Sequence, residues 1–346
     1  MLLALASAPL VQIAAVPPQR SREALTRAFT DRFGMDQLQQ SLLNSGYDTA
    51  ERLVSPAPDG LALIGGIWID ADPDLYLHWA EQFADVDRGS SVQALRKLSN
   101  PPRRSDFDTM TLSKDELREL RKCRVGDCTL QLDAGTIARI AAVDWRARDA
   151  DERATSIVRD MMFGIAVRYM AEGDSGLTSY HDSRNVTDVP GICTDLIEEE
   201  AAARLTPVPV LNYFGGLPAH VPEGATSYLY WTTNTFGLKP TTRLNHVVVY
   251  RNRDDRLAGV IATKMLYATH YFHGALDVRY VMAEPGDNRF LLVDITRSRS
   301  DGLTGLTGAI IGDTIRRRAV EGLRAYLRYT KETVERRQRQ GWTSAR

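Results

Sequence analysis

Residues 260–272, VIATKMLYATHYF, then 276–282, LDVRYVM, then 290–297, FLLVDITR, read as successive strands. In the middle segment Leu276, Val278, Tyr280 and Met282 alternate with Asp277 and Arg279, the period of two expected of a strand with two different faces. Upstream, Tyr228 to Phe236 is aromatic and Thr-rich, and Thr241 to Arg251 is β-branched around Val247, Val248 and Val249. Asn252-Arg253-Asp254-Asp255 and Pro285-Gly286-Asp287-Asn288 supply turn chemistry, so neighbouring strands pair as hairpins and run antiparallel. From about Ala309 to Arg337 the period becomes helical. Ile311, Ile315, Ala319, Leu323, Leu327 and Val334 mark one face, and Arg316, Arg317, Arg324, Arg328, Arg336 and Arg337 the other. The expected fold is α+β: a curved antiparallel sheet packed on a long C-terminal helix, with a cavity between them.

The 346 residues carry a formal net charge of -1, so no global field draws the chain to nucleic acid. The arginine-rich face of the terminal helix reads as a solvated face or as a transient contact with a membrane surface. No apolar run approaches the roughly 20 residues that span a bilayer. Met1 to Val16 is apolar, and Ala6-Ser7-Ala8 fits a small-x-small cleavage pattern, without a basic segment before it. Residues 1–20 are therefore either a signal remnant or a tail. The expected compartment is periplasmic or exported, otherwise cytoplasmic. Residues 21–346 are expected to form a single α+β domain. Cys123 and Cys128 flank a Gly-Asp turn, close enough to bridge in an oxidising compartment and free in the cytosol.

Before the strand-rich third, Leu25, Phe29, Phe33, Leu38 and Leu42 recur at helical spacing within residues 17–54. Gly60 to Asp70 (GLALIGGIWID) reads as a strand. Asp72 caps a helix that has Pro73 at its first position, and Ala94 to Leu98 reads as a strand. Ser113 and Glu116 form a capping box, and Thr129 to Leu132 reads as a strand. Residues 133–205 are mainly helical and read as an insertion. Pro207, Pro209, Gly215, Gly216, Pro218 and Pro222 mark an irregular connection.

A strand, a helix beginning Asp72-Pro73, a run of antiparallel strands and a long C-terminal helix resembles the element order of the START-like, helix-grip superfamily. The resemblance covers roughly residues 60–100 and 225–339, with the helical block as a departure. It implies a bent sheet wrapped on the terminal helix and a cavity between the two. The chain is also similar to a bacterial group sharing Cys123-Arg-x-Gly-Asp-Cys128 and Arg297-Ser-Arg-Ser-Asp-Gly-Leu-Thr-Gly305, from which no activity carries over.

Candidate ligand-binding residues are polar side chains on strands. Arg297 continues the face of Leu291, Val293 and Ile295, where it either binds an acidic ligand group or reaches water at the strand end. On the long strand, Lys264 and His270 share parity with Leu266, while Tyr267 and Tyr271 share the other parity. His246 sits with Leu244 and Val248, and Arg243 and Asn245 lie opposite. Arg297, Tyr267, Tyr271, His270, His246 and Arg243 are thus the expected ligand contacts. No catalytic motif, cofactor motif or metal-ligand spacing stands out. The expected function is binding or carriage of a small hydrophobic or lipid-like ligand. The alternative is a cyclase or hydrolase on the same scaffold, using a cavity histidine as base.

Overall fold

The computed structural model describes residues 18–83, 92–215, 220–235, 239–252, 256–284, 286–301, 303 and 305–341. The apolar stretch Met1–Val16, and most of the Asn252–Asp255 turn, lie outside these residues. In chain order the strands are β1 (Thr49–Leu53), β2 (Gly60–Ile69), β3 (Val92–Lys97), β4 (Ala225–Asn234), β5 (Thr241–Arg251), β6 (Leu257–Ala268), β7 (Phe272–Met282) and β8 (Phe290–Ser300). The helices are α1 (Pro18–Phe33), α2 (Gln37–Asn44), α3 (Pro73–Glu81), α4 (Lys114–Leu120), α5 (Ala134–Ala141), α6 (Ala150–Glu172), α7 (Val189–Ala203), α8 (Val208–Gly215) and α9 (Gly305–Arg339).

All the strands join one curved, open, fully antiparallel sheet in the order β1-β2-β8-β7-β6-β5-β4-β3. The meander β4 to β8 follows from the short turns, and β2 pairs with β8 across its whole length, Gly60 opposite Arg299 and Ile69 opposite Phe290. The α+β class expected from the periodicities is the observed one.

Alternation gives each strand two buried faces. On one, Leu229, Trp231, Leu244, Val248, Val260, Val278, Leu291, Val293 and Ile295 pack with residues of α1 and of the helical segment. On the other, Leu63, Ile67, Val247, Ile261, Val281 and Leu292 pack against α3 and against Leu323, Leu327 and Val334 of α9. The sheet is therefore a middle layer between two helical layers. Gly65 and Gly66 show how closely it is approached. A Cβ on Gly65 would lie 2.8 Å from Leu327 Cδ1, and one on Gly66 would lie 3.1 Å from Phe29 Cε1 of α1. Only glycine leaves room for helices at these distances on both sides.

Local signals at the helix starts were read correctly. Asp72 accepts from Asp74 N at 2.9 Å with Pro73 in the first turn, and Ser113 and Glu116 form a reciprocal capping box. The sulfurs of Cys123 and Cys128 are bonded at 2.00 Å around Gly126, which adopts a left-handed φ of 83°.

Some expectations need correction. Thr49–Leu53, placed with the helical stretch, is an edge strand, held by its register against β2 (Thr49 opposite Gly66). Thr129–Leu132 is not a strand; Gln131 N does donate to Thr269 O at 3.0 Å. Val208–Gly215 forms a helix inside the expected irregular connection, since proline is tolerated in a first helical turn. The helical segment between β3 and β4 thus extends on either side of residues 133–205.

Candidate functional site

The side chains singled out in the sequence do not converge on one cavity. Arg297 faces the inserted helices, where its Nη1 lies 3.0 Å from Glu200 Oε2 on α7. Glu200 is buried and also accepts from Tyr280 OH and, at 2.8 Å, from Thr206 Oγ1. Burial raises the Glu200 pKa, and the Arg297 charge and these hydrogen bonds oppose that. Two residues on, Arg299 pairs with Glu199, so two arginines of β8 clasp two glutamates of α7. That is a strut between layers.

Tyr267 is fully buried on the same side, edge-on to Tyr180 with ring centroids 5.9 Å apart. A β-bulge explains why parity failed. Asn245 pairs with Met265 but Leu244 pairs with Tyr267, so Leu266 is an extra residue, and both it and Tyr267 turn toward the inserted helices. Tyr271 lies in the β6–β7 turn with φ 67°, and its hydroxyl accepts from Lys239 N at 3.2 Å. Arg243 faces the α9 side, half-buried, and donates to Asn234 Oδ1 at 3.3 Å.

His270 is buried, with Nδ1 3.0 Å from Thr129 O and Nε2 3.2 Å from Glu116 Oε1. Both ring nitrogens face oxygen atoms, one a backbone carbonyl and the other a carboxylate. This satisfies the His–carboxylate geometry that a general base requires. Both side chains are nonetheless closed off from solvent, and Glu116 is already used by the Ser113 cap.

His246 is fully buried and sits at the centre of a relay that sequence reasoning missed. Tyr169 OH lies 2.8 Å from Nδ1, Ser227 Oγ 2.7 Å from Nε2, and Tyr213 OH 3.2 Å from Ser227 Oγ. Burial, with the Lys264 charge, holds His246 well below its usual pKa, and burial lifts Tyr169 well above its own. Both are neutral. The neutral ring has one donor and one acceptor nitrogen, so of Tyr169 and Ser227 one hydroxyl donates to the ring and the other accepts from it. Beside the relay, Lys264 Nζ donates to Asp174 Oδ1 at 2.6 Å and Phe214 O at 2.7 Å, and lies 4.9 Å from the Tyr169 ring centroid. The two bonds and the ring face occupy the ammonium, so this too is internal scaffolding.

The α9 side is different. α9 runs along β2 in the same direction and is tied down over its later turns. Leu323 and Leu327 meet Gly65, Lys331 Nζ donates to Trp68 O at 2.8 Å, and Glu335 Oε1 and Gln338 Oε1 accept from Asp70 N and Asp72 N at 3.0 and 3.2 Å. Arg328 grips Asp48 at 2.6 and 3.2 Å, and Arg279 of β7 donates to Tyr326 OH at 2.5 Å and Tyr76 OH at 3.1 Å.

Before Leu323 the ties give way to a groove of about 440 Å³. It is bounded by the β1–β2 hairpin and by Arg316 of α9, with Val54, Pro58 and Leu61 as apolar residues in a mostly polar lining. Val54 is 95% exposed at the rim. Deeper on the same face, Leu63 is opposite Thr296 and Thr296 is opposite Asp277. Thr296 and Asp277 are half-exposed although they lie mid-strand in the sheet interior, so solvent reaches the sheet there. The signal for this polar floor was present: Asp277 and Arg279 alternate against Leu276, Val278 and Tyr280. The groove wall carries no such signal, because Arg52 and Leu53 follow a stretch whose apolar spacing is helical and Thr49–Leu53 is too short to show an alternation of its own.

Among the described residues, no group of three or more His, Cys, Asp or Glu side chains could hold a metal ion, and no helix is long and apolar enough to cross a membrane. No family model matches the chain, and a search of curated proteins finds no match.

Proposed function

We propose that the protein binds or carries a small amphipathic, lipid-like molecule between its sheet and its C-terminal helix. The observation that carries this reading is the groove between the β1–β2 hairpin and α9. Its volume falls in the range of about 300–1,000 Å³ usual for small-molecule sites. Its surface is mostly polar with apolar contributions from Val54, Pro58 and Leu61, and the half-exposed Thr296 and Asp277 lie inward of it. A molecule seated on Leu61 would direct its inner end toward that floor. The exposed Val54 at the rim suits transient contact with a membrane surface during loading.

The element order and the α9–sheet packing support a START-like, helix-grip kinship, with the inserted helices as this chain's own addition on the opposite face. The Cys123–Cys128 bridge supports an exported or periplasmic location, because such bonds persist in oxidising compartments. An N-terminal sequence of the mature protein that retains Met1 would count against export.

The binding reading is tested by native mass spectrometry of the purified chain and by uptake of a fluorescent fatty acid. Leu61→Asn should remove apolar surface from the groove and lower uptake severalfold. No retained ligand together with no uptake by the wild-type chain would overturn the reading.

A further inference from the structure

We infer that the molecule in this groove carries an anionic head, a carboxylate or phosphate ending an alkyl chain, held between Arg52 and Arg316. The inference rests on the binding reading above and adds the chemical class of the ligand. Of the described residues lining the groove, Arg52 and Arg316 are the charged ones, and both are cations. They come from opposite walls, Arg52 from β1 and Arg316 from α9. Arg316 has one ionic partner among the described residues, Asp313 at 3.5 Å, whose side chain is 97% exposed. An exposed pair of that kind contributes little and leaves the guanidinium available. Arg52 has no ion pair among the described residues.

A second observation points the same way. Ser55 also lines the groove, and its hydroxyl oxygen is buried without a hydrogen-bond partner. A hydroxyl shut away from water needs an acceptor, and an anionic oxygen supplies one. Two planar guanidinium forks and one hydroxyl donor form a recognition set for a carboxylate or phosphate, and no carboxylate is among the described residues that line the groove. Val54, Pro58 and Leu61 then take the alkyl chain. The groove would therefore discriminate by head group, and neutral or cationic chains of equal length would be poor ligands.

The test is displacement of a fluorescent fatty acid by dodecanoate, dodecyl phosphate, dodecanol and dodecyltrimethylammonium, each kept below its micelle concentration. Wild type is compared with Arg52→Gln, Arg316→Gln and the double variant. The expected result is that the two anions displace at least tenfold better than the alcohol and the cation. Added salt should weaken the anions alone, and the double variant should lose the preference while still taking up dodecanol. The stronger of the two anions identifies the head group. If dodecanol equals dodecanoate in the wild type, or the double variant keeps the preference, the head-group inference falls and the binding reading stands. If no chain displaces or binds, the binding reading falls with it. Neither arginine is in the core, and an unchanged circular dichroism melt would show that the variants fold.

Discussion

Gly65→Ala is the sharpest test of how α9 is seated. The new Cβ would lie 2.8 Å from Leu327 Cδ1, 2.9 Å from Thr49 O and 3.1 Å from Leu323 Cδ2. Carbon contacts are favourable near about 3.5–4.0 Å, so the leucines must retreat by several tenths of an ångström. The carbonyl cannot, because Thr49 is paired opposite Gly66. Overpacking of this kind costs about 1–3 kcal/mol. Removing a glycine from the unfolded chain returns about 0.4–1 kcal/mol. The expected net loss is therefore about 1–2 kcal/mol. With an m-value of about 3 kcal/mol/M, the urea midpoint should fall by about 0.5 M. Gly66→Ala is the control. Its Cβ meets Phe29 Cε1 at 3.1 Å and Leu292 O at 3.6 Å, a softer neighbourhood, and it should cost at most about half as much. A Gly65→Ala midpoint equal to wild type, or a larger loss in Gly66→Ala, would refute the argument that α9 is pressed onto β2 at this point.

Lys264→Met should destabilise by about 3–5 kcal/mol in urea melts, since Asp174 and Phe214 O both lose a buried donor; Asp174→Leu added to it should recover part of that loss. His246 is held neutral by burial and by the Lys264 charge. The unfolded chain takes up a proton there below about pH 6.5, so this stability is complete above that pH and lost as pH falls. A wild-type stability slope below pH 6.5 no steeper than that of His246→Gln would contradict it. His273 behaves oppositely: burial lowers its pKa, but the bond to Asp301 and the Asp59 and Asp182 charges raise it overall. Its contribution is full below about pH 6.5 and disappears as pH rises through the raised value, which an imidazole NMR titration would locate. Cys123→Ser with Cys128→Ser opens a loop of sequence separation 5 and should cost about 2 kcal/mol, measured as a lower urea midpoint than the oxidised protein.

Much of the architecture was legible because it is written in local periods. Alternation at Leu276–Met282 and the helical stripe from Ile315 to Val334 each follow from the geometry of one element. The Asp72 and Ser113 caps were equally local. Thr49–Leu53 was missed because a short edge strand carries few positions of pattern and takes its form from pairing with β2. The candidate contacts went astray for a related reason. Alternation sorts a strand's residues into two sets without saying which layer will cover each. Arg297 and His246 were placed in the right sets, but their set meets the inserted helices, not α9. At Tyr267 even the set was wrong, because a bulge depends on the partner strand's register.

The chain by itself determined that there would be an antiparallel meander and a long amphipathic C-terminal helix, since both arise from contacts a few residues apart. The tertiary structure alone decided that the sheet has helices on both sides, that Glu199 and Glu200 neutralise the arginines of β8, and that Arg52 and Arg316 face one groove. Those outcomes join groups far apart in sequence. They are set by how packed layers distribute volume and charge, which no local period records.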